Sequence, residues 1–116
     1  MLDTLPRGLP ESLLDFCRSI SPERPRFVRS LPRQDAVQSM CFVNVANRVL
    51  ERGGATEFGW AIWHLSGAYF EAEHHGIWRK PNGDLLDVSP QFNRYPKILF
   101  LPDPTAFYDS KKFRPN

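Results

Sequence analysis

Apolar residues in the first half of the chain recur with the spacing of amphipathic helices. A first helix is predicted after Pro10, which can occupy a first helical turn, from the apolar positions Leu13, Leu14, Cys17 and Ile20. A second helix is predicted after Ser39, a good N-cap residue, from the apolar face of Phe42, Val45, Ala46, Val49 and Leu50. Pro22 and Gly53-Gly54 mark the ends of the two helices.

From residue 58 onward the period changes to two, which is typical of β-strands. Three segments alternate in this way, 58–65, 68–80 and 84–90, with turns predicted at Ser66-Gly67 and Pro81-Asn82-Gly83. The segment 97–103 is almost uniformly apolar, which favours a strand buried on both faces. With a short edge strand in 26–31, the order is two helices and then an antiparallel meander, the pattern of an α+β fold.

The length of 116 residues predicts a single domain spanning 1–116. The 11 Pro residues cluster toward the two ends, and this favours extended arms at 1–10 and 102–116. Between them we expect a compact core of about residues 38–103. The hydrophobic content of 41% is enough to build one such core.

The net charge and the number of Cys residues indicate which partners and which cellular compartment to expect. The net charge is +2, and the Arg residues near the N-terminus alternate with carboxylates, so a solvated surface is favoured and nucleic-acid binding is not expected. Only two Cys are present, fewer than a small secreted domain usually carries. The N-terminus lacks a signal-peptide pattern and no stretch approaches 18 apolar residues. We therefore expect a cytoplasmic protein with no membrane association.

Cys41 is the first candidate for chemistry because it lies near the predicted start of the second helix. Unsatisfied N–H groups and the positive end of the helix dipole stabilise a thiolate over a thiol at that place. Cys17, by contrast, lies on the apolar stripe of the first helix and is predicted to be a buried small hydrophobe. A Cys near a helix start is by itself more often structural than reactive.

A nucleophilic Cys needs a base, and the base needs a third group that orients it. If Pro81-Asn82-Gly83 forms a three-residue hairpin loop, Ile77 lies opposite Asp87, and His75 and Asp87 are diagonal neighbours on one face. If the loop has two residues, the parity changes and His74 shares the face of Asp87, but about 13 Å away. The first register is favoured. An imidazole partner also explains an Asp at a half-buried position.

Several other residues are weaker candidates for the same site. Trp60, Trp63 and Trp78 are interpreted mainly as core, with an acyl-chain or aromatic wall beside the thiol as the alternative. Asn44, one turn after Cys41, either bonds near the site or faces water, whereas Glu71 and Glu73 are interpreted as the solvent face of their strand. Cys41, His74, His75 and Asp87 lack the usual zinc-ligand spacings, and no Gly-rich phosphate loop is present, so neither a metal nor another cofactor is expected.

Four segments in this order resemble small bacterial and phage proteins of the papain/transglutaminase-like superfamily. They are "MCFVNV", "GWAIWHL", "EAEHHGIW" and "PNGDLLDVSP", which together fall within residues 38–103. The residues that carry the resemblance are Cys41 with Asn44, Gly59 with Trp60, His75 with Trp78, and Asp87, Val88, Ser89 and Pro90. The resemblance implies a helix carrying Cys packed on a small antiparallel sheet.

The resemblance also implies a Cys–His–Asp triad for acyl transfer at an amide or thioester. Cys41 is then the nucleophile, His75 the base and later the acid, and Asp87 the orienting group. Papain-like enzymes place a Gln ahead of the Cys for the oxyanion, and Gln38 is the residue nearest to that position. We expect a peptide, protein or other amide or thioester substrate. The alternative is a non-catalytic module that retains the fold and binds a protein partner, with the two arms as contact surfaces.

Overall fold

The computed structural model describes residues 3–32, 34–65, 69–91 and 94–107. This part of the chain forms an α+β fold, as predicted. The elements in chain order are β1 (Asp3–Thr4), α1 (Glu11–Arg18), β2 (Arg26–Arg29), α2 (Cys41–Arg52), β3 (Ala55–Leu65), β4 (Tyr69–Arg79), β5 (Leu85–Leu86), β6 (Lys97–Pro102) and a 3-10 turn (Pro104–Ala106). The predicted turn at Ser66-Gly67 and the C-terminal arm beyond residue 107 lie outside the described residues.

The helices begin and end close to the predicted positions, but two details of α2 differ. Its N-cap is Met40 rather than Ser39, which has a positive φ of 67° and so cannot cap the helix. Ala46 and Leu50 are not part of the buried face, because both are exposed, Leu50 to 85%. The buried positions of α2 are instead Asn44 and Val45, so the stripe that packs on the sheet is partly polar.

The sheet is not the simple meander that the chain order suggested. Its strand order is β2-β6-β3-β4-β5, with β1 added beside β3, so β6 crosses back to pair with β3 rather than with β5. The reason is burial, because Ile98 and Phe100 face one core cluster while Leu99 and Leu101 face another. A central position buries both faces of β6, as its uniformly apolar sequence requires. The predicted edge strand, β2, does lie at an edge.

The two edges of this sheet meet. Ser30, next to β2, forms an isolated parallel bridge with Asp87, which follows β5. The Leu31 N–H donates to the Asp87 carbonyl at 2.8 Å, and the Asp87 N–H donates to the Arg29 carbonyl at 2.9 Å. The sheet therefore curls until its first and last strands are linked. The predicted strand 84–90 is wrong in extent, because only Leu85–Leu86 pairs with β4 before the chain turns toward β2.

Both helices cover one face of the curled sheet. The other face is enclosed by the curl, so its side chains pack against one another. Leu13 and Cys17 of α1 pack against Ile62, Leu99 and Leu101, and this confirms Cys17 as a buried side chain. Val45 of α2 packs against Trp78 and Val88 at the other end of the sheet. The enclosed face holds Val28, Ala61, Trp63, Ile77, Ile98 and Phe100, all contributed by strands. The N-terminal arm joins this structure through β1 and through Leu5.

Within the described ranges, no helix has both the length and the apolar character needed to cross a membrane.

The different burial of Leu13 and Leu50 predicts that the same Leu→Ala substitution changes the free energy of unfolding by different amounts at the two positions. Leu13→Ala should lower the free energy of unfolding by about 2–5 kcal/mol, because Leu13 is 0% exposed and its removal leaves a cavity. Leu50→Ala should change it by less than about 0.5 kcal/mol, because Leu50 is already in solvent. Urea denaturation followed by circular dichroism measures both, and equal losses would contradict the described packing of the helices.

Candidate active site

Cys41 is the first residue of α2 and is half-buried. The ladder of α2 begins with the Asn44 N–H, which donates to the Met40 carbonyl at 2.9 Å. The N–H of Cys41 therefore has no acceptor within the helix, and no side chain caps this end. The positive end of the helix dipole therefore lies at Cys41, one position closer to the helix start than the sequence predicted, at a place that favours negative charge in general.

The hairpin between β4 and β5 sets the position of His75. The Lys80 N–H donates to the Asp84 carbonyl, and the Gly83 N–H donates to the Lys80 carbonyl, each at 2.8 Å. Gly83 has the positive φ of 94° that a three-residue loop requires at its last position. Trp78 pairs with Leu86, which confirms the register predicted from the three-residue loop. The alternative two-residue register, in which His74 would share the face of Asp87, is wrong.

His75 and Asp87 form a buried pair. His75 Nε2 is hydrogen-bonded to Asp87 Oδ1 at 2.9 Å, with His75 7% and Asp87 0% exposed. The same Oδ1 accepts from the Ser89 N–H at 3.4 Å, and Oδ2 accepts from Gln91 Nε2 at 2.6 Å. Both oxygens of the buried carboxylate are therefore satisfied, which is the condition for keeping such a group inside a protein.

Cys41 and His75 line the same cavity, and the Cys41 side chain is close enough to raise the pKa of the imidazole. Nδ1 is the ring nitrogen available to the thiol, because Nε2 is held by Asp87. Burial of His75 opposes its charged form, but the hydrogen bonds and charges of Asp87 and Cys41 outweigh burial and raise its pKa to about 10. The arrangement thus favours an imidazolium beside the sulfur at neutral pH.

Asn44 does not face water but is hydrogen-bonded beside the site, the first of its two predicted alternatives. Its Oδ1 accepts from the Val37 N–H at 3.1 Å, and its Nδ2 donates to the Val37 carbonyl at 2.8 Å and to Ser89 Oγ at 3.1 Å. Asn44 is 8% exposed, so these bonds are sheltered from solvent. They tie the loop before Cys41 to the segment that follows Asp87, and so they fix the helix start relative to the His–Asp pair.

A cavity of about 230 Å³ opens beside the thiol. It lies beside β4, beyond the point where the pairing of β4 with β5 ends at Leu86. Its walls are formed by Gln38, Ser39, Cys41, Trp63, Glu73, His74, His75, Ser89, Pro90 and Gln91. Gln38, the proposed oxyanion residue, is exposed at its rim. The Cys41 N–H at the helix start supplies a second possible donor for an oxyanion. The cavity thus gives Cys41 access to open space beside His75.

Three residues of this cavity, Glu73, Ser89 and Gln91, were not identified from the sequence as site residues, and Trp63 was considered only as part of an alternative aromatic wall. Trp63 and Glu73 lie on the same face of the sheet as His75 in the β3–β4 register. The alternation of side chains along these two strands could therefore have identified them. Ser89 and Gln91 lie in an irregular segment, and neither periodicity nor spacing predicts their contacts with Asn44 and Asp87.

His74, Trp60 and Trp78 lie on the face covered by the helices, away from the His75 imidazole. His74 packs between the rings of Phe42 and Trp60, and its Nε2 is hydrogen-bonded to the Ala106 carbonyl. Trp60 Nε1 donates to Asp103 Oδ2 at 2.9 Å, and Trp78 Nε1 donates to the Gly53 carbonyl at 2.9 Å. Neither Trp60 nor Trp78 lines the cavity, so their structural interpretation is the one the contacts favour.

In the described part of the chain, no three His, Cys, Asp or Glu side chains are arranged so that they could hold a metal ion. Comparison of the chain with protein-family models, with curated proteins and with solved structures gives no significant match.

The buried amide of Asn44 predicts a selective effect of its removal. Asn44→Ala should lower the free energy of unfolding by about 1–3 kcal/mol, since it leaves the Val37 backbone groups and Ser89 Oγ without their partner. Asn47→Ala is the matched control on the same helix and should be nearly neutral, because Asn47 is exposed. Chemical denaturation measures both variants. An equal effect of the two substitutions would contradict the anchoring role of Asn44.

The raised pKa of His75 predicts a titration well above neutrality. The His75 imidazole resonance, followed by NMR, should titrate near pH 10, and both Asp87→Asn and Cys41→Ala should lower its midpoint because each removes a partner of the imidazolium. A midpoint near 6.5 in the wild type, unchanged in the variants, would contradict the triad.

The raised pKa of His75 also predicts the direction in which the free energy of unfolding changes with pH. The folded-state pKa of His75 lies above the unfolded value of about 6.5, so its contribution is complete below that pH and is lost as the pH rises through about 10. Denaturation curves should therefore show that the wild type loses more stability than His75→Gln between pH 6.5 and 10.

Proposed function

We propose that this protein is a cysteine-dependent acyl-transfer enzyme with a papain/transglutaminase-like fold. One observation carries the proposal: the His75 ring is hydrogen-bonded to a carboxylate that is 0% exposed and shares a cavity wall with Cys41, the first residue of α2. A nucleophile, a base within hydrogen-bond reach and a group that orients the base are the three parts that covalent acyl transfer requires. The substrate is an amide or thioester, in a peptide, a protein or a smaller molecule.

The steps follow from this geometry. The Cys41 thiolate attacks the substrate carbonyl, and the oxyanion that forms is met by the Cys41 N–H and the side chain of Gln38 at the cavity rim. His75 Nδ1 gives its proton to the leaving amine or thiol as the carbon–heteroatom bond breaks, and a thioester to Cys41 remains. His75 then takes a proton from water or from an amine acceptor, which attacks the thioester and releases Cys41. No cofactor takes part in this sequence of steps.

Asp87 acts on His75 rather than on the substrate. Its Oδ1 holds Nε2, so the ring keeps Nδ1 directed at the sulfur while a proton is accepted and returned. Gln91 and the Ser89 N–H hold the carboxylate in turn. Cys17 and Cys41 are both free thiols, and the proposal includes a reducing, cytoplasmic setting in which Cys41 stays available.

The rival proposal is a binding module that retains this fold without turnover. It is favoured by exposed apolar side chains around the start of α2, where Val37 is 53%, Met40 45% and Val43 48% exposed. Apolar surface of this kind is typical of protein contacts. The two proposals differ in the reactivity of Cys41, because a binding module needs no activated thiol.

Alkylation by iodoacetamide across a pH series tests the proposal. Cys41 should be alkylated at pH 6 at least about tenfold faster than a free thiol, because the His75 imidazolium and the positive end of α2 lie beside it. His75→Ala should remove this advantage, and Asp87→Asn should reduce it. Peptide mapping by mass spectrometry separates the two cysteines.

Cys17 is the internal control in the same sample. Burial raises the pKa of its thiol, so it should remain unlabelled while the protein is folded. Slow labelling of Cys41 at the same rate in the wild type and in His75→Ala would contradict the enzyme proposal and favour the binding module.

A further inference from the structure

One charged side chain at the cavity has no part in the proposed acyl-transfer steps. Glu73 lies two residues before His75 on β4, so the two side chains leave the strand on the same face. Glu73 is exposed and forms part of the cavity wall together with Trp63 and Pro90. The carboxylate therefore lies at the entrance to the thiol, where a substrate must pass or rest.

The charges around the cavity favour a cation. The His75 imidazolium is paired with the Asp87 carboxylate, and Glu73 adds a further negative charge at the cavity. No Lys or Arg is among the described residues that line the cavity. Glu57 on β3 shows the contrast, because its carboxylate is paired with Arg79 at 2.9 Å, whereas no described cation neutralises Glu73 in this way.

The shape and chemistry of the walls add a second constraint. Trp63, which is 6% exposed, and Pro90 give the cavity apolar surface beside the carboxylate. A side chain with an apolar stem and a charged end, such as that of Lys or Arg, matches this combination. A volume of about 230 Å³ suits one such side chain rather than a large ligand.

We propose that the cavity beside Cys41 selects acyl substrates that carry a positively charged amine or guanidinium group next to the reacting carbonyl. Trp63 and Pro90 receive the apolar stem of that group, and Glu73 pairs with its charge. This inference rests on the proposed function, since it names the class of substrate that the Cys41 site accepts. Glu73 acts in it as a specificity-determining residue and not in the bond-breaking steps.

Charged thiol reagents test the preference without a known substrate. The rate constant of Cys41 is measured with a cationic methanethiosulfonate (trimethylammonioethyl) and with an anionic one (sulfonatoethyl). The ratio of the cationic to the anionic rate constant is compared with the same ratio for glutathione. The wild-type ratio should exceed the reference. Glu73→Gln should lower it by about fivefold, as expected for one charge acting over a few ångströms near the surface. The effect should weaken in 1 M salt, where screening is short-ranged.

Glu71→Gln is the matched control. Glu71 is exposed on the same strand but does not line the cavity, so its removal changes the net charge equally and should leave the ratio nearly unchanged. Glu73→Lys should push the ratio below that of Glu73→Gln. Equal ratios in the wild type and Glu73→Gln, or equal effects of the Glu71 and Glu73 substitutions, would overturn the inference.

The outcome is separable from that of the proposed function. Neutral iodoacetamide reports the activation of Cys41 by His75 and carries no charge that Glu73 could select. If activation is present and the ratio does not respond to Glu73, the substrate class is wrong while the enzyme proposal stands. If activation is absent, the inference falls together with the proposed function.

Discussion

The buried carboxylate of Asp87 links the closure of the sheet to the geometry of the site. Its backbone bridges Arg29 and Leu31 and so joins the two edges of the sheet. Its side chain receives His75, the Ser89 N–H and Gln91, which together offset the cost of removing a charge from water. A change at this residue therefore affects the fold and the orientation of the imidazole at once. Its position is fixed by packing on every side rather than by a flexible loop.

The thiol reaches this pair because α2 approaches the sheet closely at its first turn. Gly76, next to His75, makes the approach possible, since a Cβ there would lie 3.0 Å from Cδ1 of Phe42. On the opposite side of the helix start, Asn44 ties Val37 and Ser89 together. These contacts place the start of α2 beside the His75–Asp87 pair. No side chain caps the helix there, so its positive end remains at Cys41.

The site combines stabilising contacts with local costs. Ser39, two residues before Cys41, has a φ of 67°, a left-handed conformation that costs a non-glycine residue on the order of 1 kcal/mol. His75 is charged in a buried place only because Asp87 and Cys41 supply compensating partners. Strain and buried charge of this kind are retained where geometry matters more than stability. The cavity beside Cys41 is lined in part by residues of β4, beyond the point where its pairing with β5 ends at Leu86.

The sequence alone determined the elements and one register. Periodicity located both helices and the strands around them, and Pro81-Asn82-Gly83 fixed which histidine shares a face with Asp87, because local turn chemistry sets strand parity. It could not determine that β6 pairs with β3, that Asp87 bridges to Ser30, or that Gln91 holds the carboxylate. Those contacts join residues far apart in the chain or in irregular segments, where no repeat period exists. Only the packing of the whole sheet, which minimises exposed apolar surface and satisfies the buried carboxylate, decided them.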